Sequence, residues 1–132
     1  MRIVIYGCGQ VGIRIAETLS QQKHEVAVID RDSDSFRKLE GSGCEFVVGD
    51  AIDQDALSKA RTETADIFLA LTGEDNANLF AAQVAKDIFK VKRAIVRVAD
   101  PMRSKAFAEL GLTTICSTDL IADAVRKKIG SK

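Results

Sequence analysis

The stretch that decides the fold is Met1–Asp30, MRIVIYGCGQVGIRIAETLSQQKHEVAVID. A short β-branched run, Arg2–Tyr6, leads directly into the glycine turn Gly7–Gly12. A helical stripe and a second apolar run follow, and the second run ends at Asp30. This order of strand, glycine turn, helix, strand and carboxylate is the dinucleotide-binding fingerprint in the context that it requires. The sequence therefore predicts a nucleotide site at the first turn.

Each part of this turn has a physical role in holding a pyrophosphate. Gly7 allows the tight turn, Gly9 lets the phosphates approach the backbone, and Gly12 lets the helix pack closely on the strand. The free N–H groups and the positive dipole end of the helix attract the phosphates. Asp30 is placed to accept hydrogen bonds from both ribose hydroxyls.

Three side chains near the turn bear on which nucleotide fits. Gln10 brings no charge to the phosphates, where an arginine would favour a third phosphate, so it favours a diphosphate such as NAD or ADP. Asp30 repels a ribose 2′-phosphate and therefore favours NAD over NADP. Arg31 leaves this choice open, because its guanidinium could pair with a 2′-phosphate, lie on the adenine face or be solvated.

Size and composition limit the class of protein. With 132 residues, of which 46% are hydrophobic, we expect one domain over residues 1–132. The 19 basic and 19 acidic side chains balance, which gives no electrostatic footprint for nucleic acid. No apolar stretch reaches the roughly 18 residues of a membrane span, and the N-terminus lacks signal-peptide features. The three cysteines have no metal-like spacing, and their odd number with the nucleotide motif indicates a reducing cytoplasm.

Apolar runs alternate with helical stretches to the end of the chain. Short strand–helix–strand connections imply right-handed crossovers and a parallel sheet. We therefore predict an α/β Rossmann fold, with a doubly wound six-stranded parallel sheet of order 3-2-1-4-5-6 and the nucleotide across the carboxyl ends of strands one and four. In the predicted helix that begins at Asp100-Pro101, Ala106, Phe107 and Leu110 are expected to face inward. Strands are predicted at 2–6, 25–29, 45–48, 67–71, 94–98 and 113–116.

Two further positions near the nucleotide each have two interpretations. Cys8 could be a thiol whose pKa is lowered by the helix N-terminus, and hence a redox sensor, or a small residue in an alanine-like slot; we favour the second. Asp50 ends strand three and could accept from the adenine amino group or cap the next helix. The predicted site includes Asp50 and the adjacent Ala51.

The ends of strands four and five add polar groups opposite the glycine turn. Thr72 and Gly73 leave backbone room for the nicotinamide-side ribose or a phosphate. Glu74 and Asp75 could bind a cation, although acids at a helix N-terminus more often interact with its dipole. Arg97 is a charge near the end of an apolar strand, and we expect it to meet a phosphate, an acidic residue of a partner, or solvent.

Two helices carry more apolar surface than one contact needs. The helix after strand four is apolar over more than one stripe, which indicates a second buried contact, most simply a homodimer. The last helix, with Leu120, Ile121 and Val125, could cross to a partner or pack on its own sheet.

Side chains for hydride chemistry are scarce. The single histidine, His24, lies in a turn at the far end of the predicted sheet, and the single tyrosine, Tyr6, directly precedes the glycine turn. Binding without chemistry points to sensing. The alternative is a small NAD(P)-dependent oxidoreductase whose catalytic group comes from a partner chain.

Five segments also form a pattern when taken together. They resemble the KTN family, also called the RCK N-terminal or TrkA-N domain, of cytoplasmic potassium-transport regulators. The first segment is generic to Rossmann domains, whereas the Thr72–Asn76 stretch and the strand around Arg97 are specific to the family. The segments are IVIYGCGQVG (3–12), VIDRD (28–32), VGDA (48–51), ALTGEDNAN (70–78) and AIVRVADP (94–101).

The resemblance implies a regulatory domain without catalytic residues. Such domains bind NAD(H), ATP or ADP, dimerise, assemble into rings and gate a membrane potassium transporter from its cytoplasmic side. The resemblance places the phosphates on Gly7–Val11, the adenosine ribose on Asp30, and the rest of the nucleotide on Thr72, Gly73 and Arg97. ATP-gated members carry an arginine where this chain has glutamine, so a strong ATP preference is not expected. Many members continue into a C-terminal ligand-binding lobe, so we expect either a piece of a longer protein or a stand-alone domain.

Overall fold

The computed structural model describes residues 1–130 and contains a six-stranded parallel sheet of order β3-β2-β1-β4-β5-β6. The predicted fold class and strand order are confirmed. The strands are β1 Arg2–Tyr6, β2 Glu25–Asp30, β3 Glu45–Val48, β4 Ile67–Ala70, β5 Arg93–Val98 and β6 Thr113–Cys116. The helices are α1 Gln10–Gln21, α2 Gln54–Lys59, α3 Asp75–Asp87, α4 Pro101–Glu109 and α5 Ser117–Ile129, with 3₁₀ segments at Ser33–Leu39 and Thr62–Thr64.

The central strands β1 and β4 are apolar except for Arg2 and the Tyr6 hydroxyl, because both of their faces are buried. Every residue of β1 and β4 is buried, as continuous apolar runs in parallel sheets predict. Tyr6 lies beside Ile29 of β2 and Ala70 of β4 in the strand register. The carboxyl ends of these three strands therefore meet at one edge of the sheet.

Helix α1 lies unusually close to β1 because Gly12 has no side chain. A Cβ at Gly12 would stand 2.0 Å from the carbonyl oxygen of Gly7. The buried residues of α1 are Gly12 and Ala16. The apolar side chains of Val11 and Ile15 are 43% and 37% exposed. They therefore lie beside the face of α1 that contacts the sheet, and not within it.

On one face of the sheet, helices cover only about half of the strands. The helices α2, α3 and α4 supply the side chains that pack on one face, and α1 with the first 3₁₀ segment packs over β1 and β2 on the other. The remaining half of that second face forms the floor of an apolar groove of about 270 Å³. Its lining is Met1, Ile3, Ile15, Leu19, Ile67, Leu69, Leu71, Ile95 and Ile115.

Helix α5 does not fill this groove. None of its residues is buried. Its four large apolar side chains are between 51% and 74% exposed, namely Leu120, Ile121, Val125 and Ile129. Within residues 1–130, no helix has both the length and the hydropathy that a membrane crossing requires.

The expected inward face of α4 is partly wrong. Phe107 is buried as expected, but Ala106 is exposed and Leu110 is 57% exposed. The helix ends at Glu109, so Leu110 leaves the helical path before it can reach the sheet. Ser104 takes the inward position one turn before Phe107, and its hydroxyl bonds that of Thr114 at 3.0 Å.

At the amino ends of the strands, Arg2 connects β1 to the start of β3 and to the loop after α2. Its side chain is 6% exposed, and its guanidinium donates to a Glu45 carboxylate oxygen at 2.6 Å and to the carbonyl of Ala60 at 2.5 Å. Arg61 donates to the other Glu45 oxygen at 3.1 Å. The hydrogen bond from Arg2, and the charges of both arginines, hold the pKa of Glu45 below its usual 4.5.

This ion pair makes stability depend on acid pH. A carboxyl whose folded pKa is lowered stabilises the fold above its unfolded pKa, and that stability is lost as pH falls through the folded pKa. We expect Glu45→Gln to flatten the loss of unfolding free energy below about pH 4.5, by on the order of 1 kcal/mol or less because the side chain is half exposed. Urea unfolding across this range measures it.

The matched control is Glu25→Gln. Glu25 lies 3.6 Å from the same Arg2 nitrogen, but its side chain is 71% exposed. We expect its removal to leave the acid dependence unchanged. Equal flattening by both substitutions would contradict the specific role of Glu45.

Candidate functional site

A cleft of about 410 Å³ opens where the chain leaves the carboxyl ends of β1 and β4. This is the position at which the strand order reverses direction, where open α/β sheets bind their ligands. Among the lining residues are seven of the predicted site residues, namely Gly7, Gly9, Asp30, Arg31, Thr72, Gly73 and Arg97. Tyr6, Leu71 and Glu74 complete the lining.

Asp30 is held against the glycine turn by the backbone. One carboxylate oxygen accepts from the N–H of Cys8 at 2.8 Å, and the other accepts from the N–H of Asp32 at 2.9 Å. The N–H of Gly7 also donates to the carbonyl of Ile29 at 2.9 Å. Because each carboxylate oxygen has two lone pairs, the fixed group can still accept further hydrogen bonds.

The glycine turn brings the two sides of the cleft together. Gly7 has φ of +109°, and a Cβ there would lie 3.0 Å from the Thr72 nitrogen. A side chain at Gly7 would therefore be strained and would press on the end of β4. Around Gly9 the space is open, because a Cβ there would meet nothing within 4 Å. This open space is where the backbone could approach a pyrophosphate.

A buried amide that was not predicted from the sequence lies behind the cleft. Asn78 of α3 is 0% exposed, and its Oδ1 accepts from the N–H and the hydroxyl of Thr72 at 3.1 and 2.6 Å. Its Nδ2 donates to the carbonyls of Thr72 and Arg97 at 3.0 and 2.9 Å. One feature of the sequence could have indicated this role. Asn78 is a polar residue among the apolar residues that follow the start of α3.

Asp75 also has a structural partner. Its two carboxylate oxygens accept from the backbone N–H groups of Ala99 at 2.8 Å and Asp100 at 3.2 Å. The group therefore connects α3 to the loop after β5. No cluster of three metal-ligating side chains occurs within residues 1–130.

Tyr6 is committed to a structural hydrogen bond. Its hydroxyl donates to Asp50 at 2.9 Å, and the same Asp50 oxygen accepts from the N–H of Ile52 at 3.2 Å. Burial, together with the bond to Asp50, raises the pKa of Tyr6 above its usual value. The other candidate proton donor, His24, lies at the opposite edge of the sheet, 3.1 Å from the N-terminal nitrogen. The Tyr6 hydroxyl is thus engaged with Asp50, and the His24 ring lies away from the cleft.

Cys8 contributes its backbone rather than its thiol. The side chain is 4% exposed and donates to the carbonyl of Ser35 at 3.2 Å. Burial, with the nearby Asp30 and Cys44, raises the pKa of Cys8 to about 11. The thiol is therefore neutral at ordinary pH, which favours the alanine-like interpretation over a reactive thiolate.

The remaining predicted site residues lie outside the lining of the cleft. Gln10 lines a separate polar groove with Arg14. Val11 is 43% exposed on α1, and Gly12 provides the close contact of α1 with β1. Ala51 is fully buried in the core on the other side of the sheet, so its side chain does not reach the cleft.

Solved structures share this fold. A Kef C-terminal domain of Shewanella denitrificans in AMP-bound form superposes with a TM-score of 0.83 at 17% identity, over 98% of this chain and 80% of that one. The GsuK channel bound to NAD superposes with a TM-score of 0.73 at 20% identity, over 86% of this chain and 21% of that one. At these identities the likeness establishes the fold alone.

Sequence comparison establishes the family. The Trk system potassium uptake protein TrkA of Streptomyces coelicolor is 43% identical over 130 residues, which cover 98% of this chain and 58% of that protein. The chain spans about half the length of the relatives it matches. The profile of the TrkA-N domain matches residues 3–118. The chain therefore belongs to the TrkA-N domain family.

Proposed function

We propose that residues 1–132 are the nucleotide-binding domain of a cytoplasmic, non-enzymatic regulator that gates a membrane potassium transporter. The ligand is NAD(H) in the first place, with ADP or ATP as the other candidates. One observation carries the nucleotide site: the Asp30 carboxylate is fixed at the glycine turn, across a cleft from Thr72 and Arg97.

In the proposed orientation the nucleotide spans the cleft from Asp30 to Arg97. The adenosine ribose lies on Asp30, since its carboxylate keeps lone pairs for the hydroxyls. The phosphates lie over Gly9, at the N-terminus of α1, where the backbone is open and the helix dipole is positive. The rest of the ligand extends toward Thr72, Gly73 and Arg97. The AMP and NAD bound by two proteins of the same fold support a nucleotide as the ligand.

Regulation follows if the ligand favours one arrangement of an assembly. A nucleotide that binds two dimer states with different affinity shifts their populations and transmits that shift to the transporter. The names of the relatives support potassium uptake as the process. This role requires ligand binding and no chemical step. It agrees with the hydrogen bond that the Tyr6 hydroxyl donates to Asp50.

We also propose that the regulator is a homodimer in which α5 of each copy covers the apolar groove of the other. The groove lies between α1 and β6, and the same chain carries an amphipathic helix with no buried residue. If two copies exchange their α5 helices, the apolar groove and the apolar side of α5 are both buried. Phe80 and Ile88 of α3, 52% and 51% exposed, offer a further apolar surface for larger assemblies.

The exposed apolar area of α5 contributes substantially to such a dimer. The four large apolar side chains of each exchanged helix are 51% to 74% exposed, and burying a wholly exposed side chain of this kind removes roughly 60 to 120 Å² from water. Two helices therefore supply roughly 250 to 700 Å², which is a large part of the roughly 1,000 Å² of polar and apolar surface that a specific interface buries.

The nucleotide proposal is tested by calorimetric titration with NAD, NADH, NADPH, ADP and ATP. We expect NADH or ADP to bind, NADPH to bind more weakly, and Asp30→Ala to weaken NADH by about tenfold to a hundredfold through the loss of charge-assisted hydrogen bonds. Asp34→Ala is the control, since Asp34 is an exposed acid in the adjacent 3₁₀ segment that pairs with Arg37. No binding by any nucleotide would refute the proposed site.

The dimer proposal is tested by light scattering after size exclusion. We expect the wild-type chain to be a dimer and Ile121→Lys/Val125→Lys to be a monomer with unchanged helix content, because two charges would enter an apolar groove. Ile115→Lys, in the groove itself, should have the same effect. Asp123→Lys is the control on the polar side of α5.

A monomeric wild type, or a dimer that survives both sets of substitutions, would contradict the exchange. If the double variant stays dimeric while substitution of Phe80 dissociates it, the interface is α3 rather than α5.

A further inference from the structure

Asn78 joins two strands at the point where they separate. Pairing between β4 and β5 ends at Ala70 with Val96. Beyond it, the N–H of Leu71 donates to the carbonyl of Tyr6 in β1 at 2.8 Å, whereas β5 continues to pair with β6. The ladder between β4 and β5 therefore stops before the residues that line the cleft.

The Asn78 amide replaces the missing ladder. It makes two hydrogen bonds to the main chain of Thr72 and one to the carbonyl of Arg97, and it also accepts from the Thr72 hydroxyl. Both donors and two acceptor positions of one buried side chain are thus in use. A fully satisfied buried network of this kind is rigid, and it is costly to disturb because an unpaired polar group would remain in the interior.

Asp75 adds a second connection from the same helix. Through the N–H groups of Ala99 and Asp100 it holds the loop that follows Arg97. The first turns of α3 therefore fix the ends of β4 and β5 relative to each other, and with them one whole side of the cleft.

We propose that Asn78 is a positioning residue for the part of the nucleotide beyond the adenosine phosphate. It does not line the cleft, so it acts through Thr72 and Arg97, which do. The inference rests on the proposed nucleotide binding and adds to it a dependence on ligand length. A mononucleotide held by the glycine turn and Asp30 does not need this side of the cleft, whereas a dinucleotide does.

The test compares AMP with NADH in Asn78→Asp. The aspartate keeps the shape and the acceptor for Thr72, but it replaces both Nδ2 donors with an oxygen that faces two carbonyls. We expect the Kd of NADH to rise by about tenfold or more and the Kd of AMP to change by less than about threefold. Asn76→Asp is the matched control, because the same chemical change two residues earlier affects an exposed side chain.

Thermal unfolding of each variant identifies a temperature at which all of them are folded, and the titrations are made there. If Asn78→Asp does not fold, Asp75→Asn replaces it, since it removes the acceptor for one of the two loop amides. We expect this variant to lose less affinity for NADH than Asn78→Asp would, and to keep its affinity for AMP.

The inference is overturned by an equal loss of affinity for AMP and NADH, by unchanged NADH affinity in a folded variant, or by a wild type in which NADH binds no better than AMP. A wild type that binds neither refutes the proposed function, and the inference with it.

Discussion

The hydrogen bond from the Cys8 N–H to the Asp30 carboxylate is the interaction on which the candidate site depends. It joins the glycine turn after β1 to the end of β2, at 2.8 Å, and it fixes the carboxylate at the position proposed for the ribose. Gly7 then sets the distance from this turn to β4, because its missing side chain allows contact with the Thr72 backbone. A ligand bound here would touch elements from three strands, which is how local binding can influence a larger assembly.

The same sheet also explains the surface left for association. In a doubly wound sheet the connections place α2, α3 and α4 on one face and α1 on the other, so only the last helix could cover the second face over β4, β5 and β6. Here no residue of α5 is buried, and none lines the groove on that face. In the proposed dimer the apolar side of α5 covers the apolar groove of the other copy, and this groove borders α1, whose N-cap Gly9 lines the cleft.

Sequence reasoning predicted the sheet order because strand–helix alternation and the first glycine turn leave few topologies. It also placed seven of the cleft residues together, because the carboxyl ends of parallel strands share one edge. It did not predict the role of Asn78, since a polar residue in a helix gives no sign of which strand ends it will bridge. Leu110 was misplaced because inward periodicity was extended past the end of α4. Ala51 adjoins a site residue in sequence, but its side chain points into the core.

A crystal structure of the chain with NADH tests the central claim most directly. The geometry predicts the adenosine ribose on Asp30, the pyrophosphate over Gly9 and the remaining ribose beside Thr72 and Arg97, with the Cys8–Asp30 hydrogen bond retained. A ligand in the polar groove beside Gln10, or one that displaces the Asp30 carboxylate from the turn, would contradict it.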